Sequence, residues 1–274
     1  MKKHTMRILV INPNTTQSMT ETIADAAVRV SNPGTEILAV TSSMGPVSIE
    51  GYYDEVFAVP GLLLEIAKAP ALGADAAIIA CFDDTGLDAA RALADIPVIG
   101  ICEAAVSAIA FIAQRFTIVT TMERSRLPLE HLVHRYGMSS RCNVRAADIP
   151  VLSLEEPGSN ARERLREEIS LALKNDRAEA IVLGCAGMAD LTAELRSEFG
   201  VPVIDGVAAA VKQAEALVAM GLSTAKRGAY ATPVLKPYRG LLETFQPDRM
   251  VASSGSHGDR QGLELADHKT TKAS

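Results

Sequence analysis

Two kinds of segment alternate along this chain. Apolar runs of strand length, rich in Val, Ile, Ala and Leu and bounded by Gly, Pro, Asn or Asp, are followed by longer stretches whose apolar positions recur every three or four residues. The pattern predicts strands over 7–12, 36–41, 77–81 and 97–100, with helices over 18–30, 54–72 and 86–94 between them. Apolar runs that do not alternate with polar residues belong to strands buried on both faces, as in parallel sheets covered by helices. Residues 42–53 form a polar, glycine-containing loop at a strand end, where α/β proteins hold ligands.

The order then starts again. A helix over 104–114, a strand over 116–121 and a helix over 126–136 stopping at Gly137 lead into a less regular stretch, 142–149. A charged helix over 160–174, a strand over 180–185, a helix over 191–199 and a strand over 201–205 follow. Two landmarks measure the repeat: Cys81 and Cys185 are 104 residues apart, and Pro97 and Pro202 are 105 apart. The expected fold is therefore α/β, with two similar Rossmann-like units. Each would carry a mainly parallel four-stranded sheet, and a pseudo-two-fold axis would bring equivalent strand ends together across a cleft. The first unit is expected to comprise 1–100 plus 206–245, with the helix over 205–220 crossing back onto it, and the second 101–205. Residues 222–245 read as mixed, a last strand or helix on the first unit, and the small polar residues of 246–274 as a mobile tail.

Composition supports this class. The 274 residues are 48% hydrophobic but only 4% aromatic, without Trp, which suits parallel strands better than a sandwich. The net charge is -6 with Lys and Arg scattered, so no nucleic-acid footprint is expected. Apolar runs are too short to span a membrane, and residues 1–7 lead into a strand without a secretory core. A cytoplasmic protein with no membrane partner is the expectation.

Candidate chemistry then narrows to thiols. The cysteines at 81, 102, 142 and 185 form no C-x-x-C and have no nearby His, which argues against a zinc site or a disulfide framework. No G-x-x-x-x-G-K or G-x-G-x-x-G occurs, so no nucleotide cofactor is expected. Cys102 and Cys142 read as small buried hydrophobes. Cys81 and Cys185 differ, because they hold equivalent places at strand ends, where helix N-terminal amides would favour thiolate. Two acid/base groups of one kind on opposite sides of a cleft can take a proton from one face of a carbon and return one to the other. A nucleophilic hydrolase would want a His beside its Cys, whereas His131 and His134 read as surface or packing residues.

Four segments resemble the aspartate/glutamate racemase superfamily, and within it the hydantoin and allantoin racemases. They are V-I-N-P-N-T-T (10–16), G-P-V-S-I-E-G-Y-Y-D-E (45–55), C-F-D-D-T-G-L-D-A-A-R (81–91) and I-V-L-G-C-A-G-M-A-D-L (181–191), and the resemblance runs over about residues 7–240. It implies a cofactor-independent, metal-independent racemase in which Cys81 and Cys185 exchange the ring proton of a 5-substituted hydantoin, or of allantoin. It further implies a homo-oligomer, and a substrate pocket lined by Asn14, Ser43, Phe82, Asp83, Thr120, Thr121 and Gly187. The amino-acid racemases of the superfamily carry Asn-Thr and Thr-His after their cysteines. Phe82-Asp83 and Ala186-Gly187 stand there in this chain, pointing to a cyclic ureide rather than a zwitterion. Thr85 stands where the hydantoin branch often carries Pro, which reads as a minor change. The competing readings are a maleate isomerase-like enzyme, a malonate decarboxylase, a two-domain solute-binding protein and a thiol redox sensor.

Overall fold

Eight strands form two sheets of one plan in the computed structural model, which describes residues 5–154, 156 and 158–252. The first sheet has the order β2-β1-β3-β4, from β1 (Met6–Asn12), β2 (Thr35–Thr41), β3 (Ala76–Ile79) and β4 (Val98–Gly100). The second has the order β6-β5-β7-β8, from β5 (Phe116–Thr120), β6 (Cys142–Ala146), β7 (Ala180–Leu183) and β8 (Val203–Asp205). Every pairing is parallel, and the matching strand orders agree with two similar units. The central strands carry the unbroken apolar runs because both their faces are covered: Ile8 to Ile11 and Ala180 to Leu183 are wholly buried.

The helices are shared unevenly. Within the first half lie α1 (Gln17–Val30), α2 (Tyr52–Ala67) and α3 (Leu87–Leu93), and within the second α5 (Arg126–Arg135), α6 (Ala161–Leu171) and α7 (Thr192–Phe199). The helix after each fourth strand crosses over. Thus α4 (Ile101–Ile109) packs on β7, β8 and α5, while α8 (Gly206–Ala219) packs on α1, β1, β3 and β4, and the two lie against each other. One inner core consequently runs through both halves, joining Ile8, Val10 and Ile78 to Ile118 and Val182 through α1, α4 and α8. Each sheet keeps a smaller outer cluster, around Leu62 and Ile79 in one and Leu165 and Leu183 in the other.

Gly206 sits where α4 and α8 start side by side. A methyl group there would fall 2.5 Å from the Ile101 carbonyl oxygen and 2.8 Å from Ile101 Cβ, too close for either backbone to ignore. Gly206→Ala is expected to cost about 1–3 kcal/mol through overpacking, read as a lower urea midpoint with an unchanged slope.

The structure departs from the sequence pattern at five points. Residues 142–149 include a regular strand, β6, paired from Cys142 to Ala146 along β5. It is an edge strand, so Arg145 can point outward to Asp176 and Glu168 and hide the apolar signal. The strands expected to end on cysteine stop earlier, at Ile79 and Leu183. Helix α4 begins at Ile101, three residues before the expected start, because its cap comes from outside its own segment. Among the described residues, 222–245 holds only short 3-10 turns, at Gly228–Tyr230 and Gly240–Phe245, and no strand. Of the polar segment 246–274, a last helix, α9 (Pro247–Ala252), is seen, with Met250 buried. The remainder lies outside the described residues.

Candidate active site

The carboxyl ends of the two sheets face one cavity, the place that open α/β sheets reserve for ligands. Cys81 and Ala80 come from the end of β3, Gly184, Cys185 and Ala186 from the end of β7, and Thr120 and Thr121 from the end of β5. Asn14 and Met19 come from the turn into α1, Phe82 and Asp83 follow Cys81, and Ile49, Ser125 and Val151 complete the wall. Both cysteines are half-buried, and none of the four cysteines is in a disulfide. Cys102 and Cys142 are buried and outside this wall. A larger open groove of about 540 Å³ runs beside β6. Its Arg145 is already tied to Asp176 and Glu168, and neither Cys81 nor Cys185 reaches it.

The polar wall is built by local turns. Asn14 is buried, its Oδ1 accepting from the Thr16 amide at 3.0 Å and from Asn12 Nδ2 at 2.8 Å. This is an Asx turn that feeds the chain into α1. The Asn14 Nδ2 rests on Met19 Sδ at 3.4 Å, a weak acceptor that leaves the amide available. Thr120 donates its hydroxyl to the Gly184 carbonyl at 3.0 Å, tying β5 to the turn that carries Cys185. A methyl group on Gly184 would press within 3.0 Å of Thr120 Cα, so the close approach requires glycine.

Two loops, one from each half, close the cavity. The loop before α2 is pinned to the α1 turn through Thr15 N–H to the Pro46 carbonyl and Thr16 Oγ1 to the Val47 carbonyl. The loop after β6 is pinned to β5 through Ala147 and Ile149 N–H. They meet where the Val151 amide donates to Glu50 Oε1 at 3.3 Å, with Ile49 and Val151 buried beneath. The cavity under them is about 40 Å³, room for a few waters.

Electrostatics weigh on Cys81. Burial, then the neighbouring Asp83 carboxyl, pushes the Cys81 thiol well above its ordinary range, against the opposing pull of the Thr85 hydroxyl and the Asp83 backbone. The expected helix N-terminal amides are not beside it. A turn closed by Asp84 N–H to the Cys81 carbonyl follows, and α3 begins only at Leu87. Cys185 is likewise followed by a 3-10 turn, Ala186–Leu191. Asp83 is itself pushed up to about 7, first by burial and then by Glu55 and Asp84. Glu55 is also raised, by burial and by Asp54, and its Oε1 is buried without a hydrogen-bond partner among the described residues.

Of the residues expected here from sequence, Cys81, Cys185, Asn14, Phe82, Asp83, Thr120 and Thr121 line one cavity. Gly187 lies just behind the wall, where an added methyl would sit 3.8 Å from Cys185 Sγ. Ser43 does not reach it: the side chain is exposed, while its neighbour Ser42 turns inward and bonds the Met44 carbonyl at 2.7 Å. Met19, Ile49, Ser125 and Val151 were not legible, since each arrives from a loop or helix start with no local signal. Thr85 was legible only as a departure from a pattern. No group of three or more His, Cys, Asp or Glu among the described residues is placed to hold a metal. No helix among the described residues is long and apolar enough to cross a membrane.

The same architecture is found in known proteins. The chain is 50% identical to the hydantoin racemase of Rhizobium meliloti over 236 residues, covering 86% of this chain and 98% of that one. It is 48% identical to the hydantoin racemase of Pseudomonas sp. (strain NS671) over 241 residues, 88% of this chain and 97% of the relative. Among solved structures, an allantoin racemase from Klebsiella pneumoniae superposes with a TM-score of 0.85 at 51% identity, covering 88% of this chain and 99% of that one. The family model described as Asp/Glu/Hydantoin racemase matches residues 8–214. With most of its length accounted for in this way, the chain belongs to the Asp/Glu/hydantoin racemase family and is an isomerase, a racemase.

Proposed function

We propose that this racemase interconverts the D and L forms of 5-monosubstituted hydantoins, with Cys81 and Cys185 as its two bases. The observation that carries the reading is that the ends of β3 and β7 present one thiol each to a single cavity. The hydrogen on ring C5 is acidic because the electrons left by its removal spread into the adjacent carbonyl. One cysteine, as thiolate, takes that proton from one face and becomes a thiol. The other, as thiol, gives its proton to the opposite face and becomes a thiolate. The centre is inverted, and proton exchange with water restores the starting pair.

The remaining wall supports this chemistry. Asp83, raised to about 7, keeps much of its carboxyl neutral near neutral pH, so it can donate a hydrogen bond to a ring carbonyl as charge builds there. The Asn14 amide offers a second donor. Met19, Ile49, Phe82, Val151 and Ala186 supply an apolar surface that suits an alkyl or aralkyl group on C5. Allantoin is the second reading, favoured by the likeness to the Klebsiella pneumoniae structure. Its polar ureido substituent would face the same apolar residues without partners.

The test is to incubate each enantiomer of a 5-alkyl hydantoin and of allantoin in D2O, following optical rotation and mass together. Hydantoin is expected to lose rotation in step with uptake of one solvent deuteron at C5, and faster than allantoin. Loss of rotation without deuterium uptake would sink the proton-transfer reading, and a clear preference for allantoin would reverse the substrate assignment.

A further inference from the structure

The two cysteines have unequal surroundings. Asp83 directly follows Cys81, whereas Ala186 and Gly187 follow Cys185. A base of this kind must become negatively charged, and the nearby carboxyl and the burial of Cys81 both oppose that. One neighbour works the other way. The turn closed by Asp84 N–H to the Cys81 carbonyl folds residue 85 back over residue 81, and the Thr85 hydroxyl lies 3.3 Å from Cys81 Sγ. Thr85 is 2% exposed, and its hydroxyl has no other hydrogen-bond partner among the described residues. The equivalent position in the second half, four residues after Cys185, is Ala189, a buried methyl.

We propose that Thr85 is a further catalytic residue, whose hydroxyl donates to Cys81 Sγ and sustains the thiolate of that cysteine alone. This rests on the two-cysteine reading for its consequence in turnover, but the hydrogen bond acts on Cys81 whether or not substrate is present. The hydroxyl rotates freely enough to donate to a thiolate and to receive from a thiol, so it follows Cys81 through both its states. At Cys81 it works against the burial and the Asp83 carboxyl that oppose the thiolate.

The experiment compares the native chain with Thr85→Val, which keeps the shape and removes the hydroxyl, and Thr85→Ser, which restores it. Iodoacetamide labelling of each cysteine at pH 8 is followed by peptide mass spectrometry, a readout that needs no turnover. Losing a hydrogen bond to a charged sulfur raises the thiol's titration point by about one pH unit. Labelling of Cys81 should then slow about fourfold in Thr85→Val, the fall in thiolate being partly offset by its greater nucleophilicity. Cys185 should be labelled at the native rate, and Thr85→Ser should label like the native chain.

In racemisation, kcat/KM should fall about tenfold in Thr85→Val, equally in both directions because the equilibrium constant is one, with recovery in Thr85→Ser. Unchanged Cys81 labelling in Thr85→Val, or equal slowing at both cysteines, would overturn the proposal, the second pointing to a merely structural role. Selective slowing at Cys81 in a protein that racemises no hydantoin would instead count against the function proposed above and leave the role of Thr85 standing.

Discussion

Replacing either Cys81 or Cys185 by serine is expected to reduce racemisation at least about a hundredfold, the usual contribution of one positioned acid or base. Serine fits the space of cysteine, but its hydroxyl does not ionise near neutral pH and cannot take a carbon-bound proton. The two losses should not multiply. Inversion needs one proton removed and one returned, so the double variant should be scarcely slower than either single one. Each single variant should still exchange the C5 hydrogen of the enantiomer that presents it to the surviving thiol, so deuterium uptake without inversion is the signature to seek. Full racemisation by either single variant would end the two-base reading.

Asp84→Ala is expected to cost about 3 kcal/mol of stability, the loss of a helix cap plus an orphaned buried hydroxyl. Asp84 is buried at a positive φ of 47°. It receives the Cys102 amide at 3.0 Å, the Glu103 amide at 2.9 Å and the Tyr136 hydroxyl at 2.6 Å. It thereby caps α4 and ties the Cys81 turn to the end of α5. Room for this comes from Gly100, where a methyl group would meet Asp84 Oδ1 at 2.3 Å. In the second half Asp205 caps α8 from its own strand end, receiving the Ala208 amide at 2.7 Å. The milder variant Asp84→Asn separates the charge from the shape.

Burial pushes Asp84 up to about 6 from an ordinary 3.8, against its three hydrogen bonds. The folded protein therefore holds a proton that the unfolded chain releases. The resulting stability is fully present below pH 4 and is lost as pH rises through 6. Asp83 acts in the same sense up to about 7, while Asp88, Asp176 and Glu215 are held low and act oppositely. The informative quantity is the difference between native and Asp84→Asn stability in urea. It should shift in favour of Asp84→Asn as pH rises from 4 to 6, and a flat difference would contradict a raised Asp84.

Much of the architecture was legible because burial leaves a local trace. Ile8 to Ile11 and Ala180 to Leu183 are covered on both faces, so their runs announce strands of a parallel sheet. Edge strand β6 was missed because Arg145 breaks that trace, and the strands ending near the cysteines were drawn two residues too long because Ala80 and Gly184 continue an apolar run after pairing has ceased. At the cavity, Asn14, Phe82, Asp83, Thr120 and Thr121 were named by the resemblance of their segments to the racemase family, and they line the wall. Ser43 is exposed and outside the wall, while the buried Ser42 is spent on the Met44 carbonyl.

By itself the sequence determined the two-fold repeat of strand and helix, the parallel sheets and the equivalent positions of Cys81 and Cys185. These follow from periodicity and spacing, which are properties of one segment at a time. Only the tertiary structure decided that Ile49 and Val151 lie over the cavity, and that Asp84 caps a helix in the other half. It also turned Thr85 from a minor departure into the residue whose hydroxyl meets Cys81 Sγ. Such contacts are set by how turns fold back and how distant segments pack, and neither leaves a periodic mark along the chain.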